Sequence, residues 1–378
     1  MPLLTPTTRW LPRKRPVRGY SRKKVAAAVD GSVTAMIDAP GAGPDPLPPV
    51  ERLRPGLTSV PVPLPNNSLR YVFVYVFESD QGVYLVDAGW NTDDAYAALQ
   101  AGLKFAGYEM SDVQGVMVTH IHPDHYGLAG RIREASGAWI SLHPADARLI
   151  QDRYIEPTDL LERMGQMLRR MGAPEEEVAT LQSVAMPVRP FVDPVLPDIL
   201  LEDGERPEVP GWDLSAIWTP GHTPGHLCFW EPRNELLLTG DHVLPRITPN
   251  VSYNPQASDN PLGDFLAALD RLDEYEPQEV LPAHEYRFDD LHGRIDQLRR
   301  HHAERFREVV AAIADGDSTS WGIARRMTWS RPWDEIDGWM RRAAVGEAMA
   351  HLLALRHRGV VADIEAEGEP TRWELRGG

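Results

Sequence analysis

Cysteine is nearly absent from this chain, with Cys228 the only one in 378 residues. One thiol closes no disulfide within the chain, and a chain this long buries enough surface to need none. A reducing cytoplasm is therefore the expected compartment. Lysine is scarce as well: beyond an N-terminal cluster only Lys104 remains. Acidic residues outnumber basic ones 55 to 39, for a formal net charge of −16. Such a surface repels phosphate backbones, so nucleic acid is not an expected partner. No window holds about 18 consecutive apolar residues, and no membrane span is expected. Internal repeats are lacking too.

What is present is ordinary globular chemistry, 42% hydrophobic and 25% charged, enough for one large domain with an appendage or for two domains. Residues 1–50 stand apart. Arg9, Arg13, Lys14, Arg15, Arg18, Arg22, Lys23 and Lys24 crowd a segment with no apolar stretch behind them, which is not a secretory signal. A disordered tail, or sequence preceding a start at Met36, is the plainer reading; a polybasic contact arm or presequence is the functional one. The run DAPGAGPDPLPPV, residues 38–50, reads as a linker.

From residue 51 to about 290 the pattern alternates strands and helices. Ser59–Leu64, Tyr71–Glu78 and Gly82–Asp87 predict an antiparallel meander, Asp93–Ala106 a helix and Gly115–Thr119 a buried strand. Residues 138–153 predict a strand and a helix, and 157–184 a helical insertion rich in Leu and Met. Further strands are expected at Asp198–Leu201, Leu214–Trp218, Leu227–Trp230, Glu235–Thr239 and Glu279–Leu281, with a helix over 261–275. Two runs of strands with helices outside imply an α+β chain, two packed sheets in an αβ/βα sandwich. Residues 291–378 predict helices over 292–314, 319–327 and 335–358 and a terminal hairpin, a winged-helix-like appendage.

The chemistry concentrates at strand ends. His120, His122, Asp124 and His125 lie within six residues directly after a predicted strand. Neutral imidazoles and a carboxylate suit Zn, Fe or Mn, and Pro123 stiffens their loop. The spacing is not the i, i+4 pair of a helical metalloprotease. His222 in TPGHTPGH, Asp241 in LLLTGDH and His284 in VLPAHEY each follow another predicted strand. Four strand ends supplying such residues is what one rim of a sandwich provides.

HxHxDH followed by a His, an Asp and a His, each after a strand, closely resembles the metallo-β-lactamase superfamily over residues 55–290. TPGHTPGH and GDH look most like its glyoxalase II branch. The resemblance implies two divalent metal ions, zinc first, with iron or manganese as alternatives. His120, His122 and His222 would hold one, Asp124, His125 and His284 the other, and Asp241 would bridge them. It implies a hydrolase that attacks with a metal-bridging hydroxide, with Asp124 and Asp241 at the reaction centre.

Several further residues are candidates. Asp87, ending a strand in YLVDAGW, would support the ligands from behind, as an Asp does in the resembling family. Tyr126 could hydrogen-bond substrate or simply pack. His242 could touch the pocket, and Arg246 and Asn250 could form a polar wall. His226 and His143 read as structural, and Cys228 as buried and inert. The Met-rich helix at 160–171 is either a packing or dimer contact, allowing a homodimer, or a lid over an apolar acyl group. A small-molecule acyl substrate follows, with a thioester or another ester or lactone bond cleaved. The alternatives are a phosphodiesterase resembling the β-lactamase-like endoribonucleases, and an iron-dependent oxidoreductase of the same fold.

Overall fold

The computed structural model describes residues 47–64, 67–183 and 186–376. The basic segment and all but the end of the linker lie outside these residues.

Seven strands form the first sheet, in chain order: β1 (Glu51–Arg54), β2 (Leu57–Pro63), β3 (Tyr71–Ser79), β4 (Gly82–Val86), β5 (Val113–Met117), β6 (Trp139–Leu142) and β7 (Ile199–Leu200). The first four pair antiparallel, as the meander reading expected, and β4 to β7 pair parallel. The second sheet holds β8 (Ser215–Trp218), β9 (Leu227–Glu231), β10 (Leu236–Gly240) and β11 (Glu279–Pro282), in the order β11-β10-β9-β8. A last hairpin joins β12 (Val361–Ile364) to β13 (Arg372–Leu375).

The period-2 alternation of the strands builds the layers. Along β3, Val72, Val74 and Val76 face the helical layer, where they pack with Leu99 and Leu103. Phe73, Tyr75 and Phe77 face the other way and meet Phe229, Leu236 and Leu238 of the second sheet. Leu237, between those two leucines, points outward to a third cluster with Phe265 and Ile295. Two sheets face to face with helices outside are the expected αβ/βα sandwich.

The helices over the first sheet are α1 (Asp93–Ala106), α2 (Pro123–Tyr126), α3 (Ala129–Ser136) and α4 (Pro144–Ala147). Thr92 caps α1 by accepting from the Ala95 N–H, and Gly107 closes it at a positive φ of 98°. Next come α5 (Thr158–Arg170), α6 (Glu175–Ser183), α7 (Pro261–Leu272), α8 (Leu291–Ala314), α9 (Ser320–Arg326) and α10 (Gly338–His357). Met164 and Leu168 of α5, Phe265 of α7, Ile295 of α8 and Val345 of α10 share one buried cluster with the outer face of the second sheet. The C-terminal helical region thus packs onto the sandwich through a continuous apolar core. No described helix is long and apolar enough to cross a membrane.

Strand direction places the site. Parallel pairing puts the C-terminal ends of β4 and β5 at one rim. In the second sheet β10 and β11 are parallel, and β8, antiparallel to β9, runs with them. The loops after β4, β5, β8, β10 and β11 therefore open on one edge.

Candidate metal centre

All seven ligand candidates meet at that edge. The donor atoms of His120, His122 and His222 lie within 4.8 Å of one another, as do those of His120, His125 and Asp241, and those of Asp124, His125 and His284. Nδ1 of His122 sits 2.9 Å from Nε2 of both His120 and His222. On the other side, Nε2 of His284 is 3.3 Å from Asp124 Oδ2 and 3.3 Å from Asp241 Oδ1. Asp241 reaches both halves. Its Oδ2 lies 3.4 Å from His222 and 3.5 Å from His125, while Oδ1 faces His284.

The imidazoles are aimed from behind. His125 donates from Nδ1 to Asp87 Oδ2 at 2.7 Å, His222 from Nδ1 to the Asn250 carbonyl at 2.8 Å, and His284 from Nδ1 to the Tyr71 carbonyl at 2.8 Å. Thr119 donates its hydroxyl to Asp87 and accepts from His120 Nδ1. With the Nδ1 atoms of His120, His125, His222 and His284 engaged in this way, each turns Nε2 into the centre, whereas His122 presents Nδ1. Asp87 performs this support from a left-handed backbone at φ 65°, a conformation an aspartate tolerates better than most side chains.

The electrostatics match. Burial, reinforced by neighbouring histidines, holds His120 well below the usual imidazole range. His122 is lowered by burial, His222 and Arg153. Both are neutral and able to ligate at pH 7. Burial opposes ionisation of Asp124, but His125 and His284 outweigh it and keep the carboxyl ionised. Nε2 of His125, Nε2 of His284 and Oδ1 of Asp241 are buried and make no hydrogen bond. Buried polar atoms are seldom left so, and a divalent cation would satisfy all three. Mixed imidazole and carboxylate donors suit zinc, iron or manganese.

Two residues outside the ligand set hold the loops, and sequence reasoning gave neither its role. Asp146, in α4, accepts from the Ile121 N–H at 2.9 Å, the Gly225 N–H at 2.7 Å and the Thr223 hydroxyl at 2.8 Å. One carboxylate thus ties the HIHPDH loop to the TPGHTPGH loop. An Asp two residues after a helix-starting Pro was its only sequence signal. His226 accepts from the Asp241 N–H at 3.1 Å through Nε2, and its Nδ1 donates to Thr219 at 2.8 Å. It therefore positions Asp241 from within the interior, a specific form of the structural part expected for it.

The remaining candidates divide. Asn250 lines a cavity of about 180 Å³ that opens on His122 and His222. Tyr126 does not. Its ring is fully buried, and its hydroxyl donates to the Val195 carbonyl and accepts from the Val195 N–H, so it packs rather than meets a substrate. Arg246 is likewise not a wall: its exposed guanidinium turns to Glu285 at 3.0 Å. His242 is buried behind His226, against Phe265, and burial pushes its pKa down to about 3. His143 stacks on Trp218, and Cys228 is buried with its pKa pushed up to about 12.

One side of the cavity is apolar, formed by Leu160, Leu161, Met164 and Met167 of α5. Trp339 and Arg342 of α10 and Arg153, from the helical turn before α5, also line it. Sequence reasoning missed these three. Their only signal was their type, because nothing local says that α10 reaches the rim.

Known proteins are similar to this chain in sequence and fold. Residues 68–284 match the family model described as the metallo-beta-lactamase superfamily. A probable metallo-hydrolase, YqjP of Bacillus subtilis (strain 168), is 27% identical over 253 residues, 61% of this chain and 75% of that protein. Atrochrysone carboxyl ACP thioesterase dmxR1 of a Cryptosporiopsis species is 27% identical over 155 residues, 38% of this chain and 46% of its own length. Among solved structures, the metallo-beta-lactamase family protein TTHA1429 of Thermus thermophilus superposes with a TM-score of 0.73 at 33% identity, covering 86% of this chain and 100% of that one. That span reaches past the family match, so the likeness extends into the C-terminal helices. With its rim of histidines and aspartates and a family match over more than half its length, the chain belongs to the metallo-β-lactamase superfamily and is a metallo-hydrolase.

Proposed function

We propose that this hydrolase cleaves a thioester or a related acyl or lactone bond. The observation that carries the reading is the cavity wall: apolar residues of α5 line the same cavity as His122 and His222. Leucine and methionine side chains accept an acyl chain, and methionine adapts to irregular shapes. The partial likeness to an ACP thioesterase supports the same substrate class.

His120, His122 and His222 would hold one ion and Asp124, His125 and His284 the other, with the carboxylate of Asp241 within reach of both groups. A pair of divalent cations, when bound, lowers the pKa of a water towards about 7 and polarises the scissile carbonyl. Asp87, Thr119 and the carbonyls of Asn250 and Tyr71 keep the imidazoles oriented, so no reorganisation is needed during the reaction. Asp124 Oδ2, 3.3 Å from His284 and 3.6 Å from His125, is placed to take up a proton at the centre. The single buried thiol supports a reducing compartment.

The test is a panel of acyl-CoA thioesters, lactones, bis-p-nitrophenyl phosphate and short RNA, run on protein of measured metal content. Turnover of a thioester or lactone, with close to two Zn, Fe or Mn per chain, is expected. Cleavage of RNA with none of thioesters would overturn the substrate class. A single iron with oxygen consumption would overturn the hydrolytic reading.

A further inference from the structure

Many of the described arginines pair with a carboxylate. Arg163 pairs with Asp152 and Asp159 on the outer side of α5, and Arg341 pairs with Glu177. Arg153 and Arg342, next in sequence to Asp152 and Arg341, do not. Arg153 has no carboxylate partner: it makes a 3.5 Å contact with the Gln256 side-chain oxygen and lies against the Tyr154 side chain, and Arg342 has no hydrogen-bond or carboxylate partner among the described residues. Both line the cavity that opens on His122 and His222.

Two facts make this more than an accident of exposure. Burial, with Arg153 adding like-charge repulsion, brings the Arg342 pKa down to about 10, so the guanidinium stands in a partly desolvated place beside another cation. In the same wall the Gln256 Nε2 is buried and makes no hydrogen bond. Cations and a buried amide donor without an acceptor are costly in the free protein, and an anion seated among them would relieve that cost.

We propose that Arg153, Gln256 and Arg342 form an oxyanion subsite of the cavity, which holds a carboxylate or phosphate group carried by the substrate. The proposal rests on the acyl-hydrolase reading and narrows it. The apolar residues of α5 take the hydrocarbon part and the arginines of the same cavity take the charge, so the substrate is amphiphilic. Guanidinium and amide donors match planar carboxylate or phosphate oxygens equally well. The charge would sit on the acyl end as a carboxylate or on the carrier as a phosphate.

Matched pairs separate these sources. Glutaryl- and valeryl-N-acetylcysteamine differ by a terminal carboxylate, while acyl-CoA and acyl-pantetheine differ by the phosphates. On the metal-loaded enzyme, at least one charged member should exceed its neutral twin in kcat/KM by about 10–100-fold, the value of a charge-assisted contact. R342Q and R153Q should collapse that ratio towards one, and R342K should keep part of it. R342Q should melt no lower than wild type, because it removes a desolvated cation beside another. A ratio near one in wild type, or one unchanged in both variants, would overturn the subsite. Should no thioester be turned over, the acyl reading fails separately, and titration of inorganic phosphate and glutarate onto wild type and R342Q tests the subsite directly. Weaker binding to R342Q supports it; equal or absent binding overturns it.

Discussion

Asp241 reaches both groups of ligand candidates, with Oδ2 3.4 Å from His222 and 3.5 Å from His125 and Oδ1 3.3 Å from His284. Asp241→Ala should therefore empty the centre and cost more than the about 10–100-fold typical of losing an outer partner of a ligand. Metal analysis alongside kinetics checks this, and retained turnover with a full metal load would remove Asp241 from the centre. Asp146 acts on the same centre indirectly. Asp146→Ala leaves the N–H groups of Ile121 and Gly225 and the Thr223 hydroxyl without their acceptor. Each such loss costs about 1–3 kcal/mol when buried, so a large fall in Tm together with metal loss is expected. A variant with native Tm and native metal content would show that the two ligand loops hold without their clamp. The ligand candidates were legible in the chain because four follow β5 and one each follows β8, β10 and β11 by a few residues. Asp146 was not, because its three partners come from two loops that meet only in the fold.

Among the elements, α10 carries the clearest pH dependence. Burial pushes Glu347 up to about 7, from the ordinary value of 4.5, with Arg305 opposing the shift. The folded chain thus binds this proton more tightly than the unfolded chain does. The corresponding stability is fully present below pH 4.5 and is lost as pH rises through about 7. Glu347→Gln keeps the shape without the charge. It should melt with wild type at pH 5 and above it at pH 8, whereas an equal offset at both pH values would refute the assignment.

The elements themselves were largely readable from pattern. Alternating valines and aromatics predicted β3, and helical spacing predicted α1 at its observed bounds. β1 escaped because ERLR carries charge at three of four positions, and its pairing to the edge of β2 needs no apolar signature. Strand pairing was legible only for the first hairpins. The parallel partners of β4 to β7 are separated by helices, and their order depends on crossover packing rather than local sequence.

At the scale of the molecule, the apolar cluster that begins on the outer face of the second sheet continues through α7 and α8 into α10. Unfolding should therefore follow one cooperative transition, and a chain ended at residue 290 should fail to give a cooperative melt because Phe265, Leu269 and Val280 lose their cover. Two resolved transitions in calorimetry, or a stable truncated chain, would show that the boundary near 290 separates independent folding units.

Residue chemistry and order along the chain were enough to pick out the histidines and aspartates that gather at the rim, the sandwich and the helical C-terminal region, since short-range patterns specify strand ends and the donors that follow them. The substrate cavity was decided elsewhere. Its walls come from α5, α10 and the loop at 250–256, far apart in the chain, and only packing brings Arg153 and Arg342 into one space. Tyr126 and Arg246 make the same point in reverse: each lies close in sequence to a ligand, yet partners across the fold, Val195 and Glu285, turn it away from the centre.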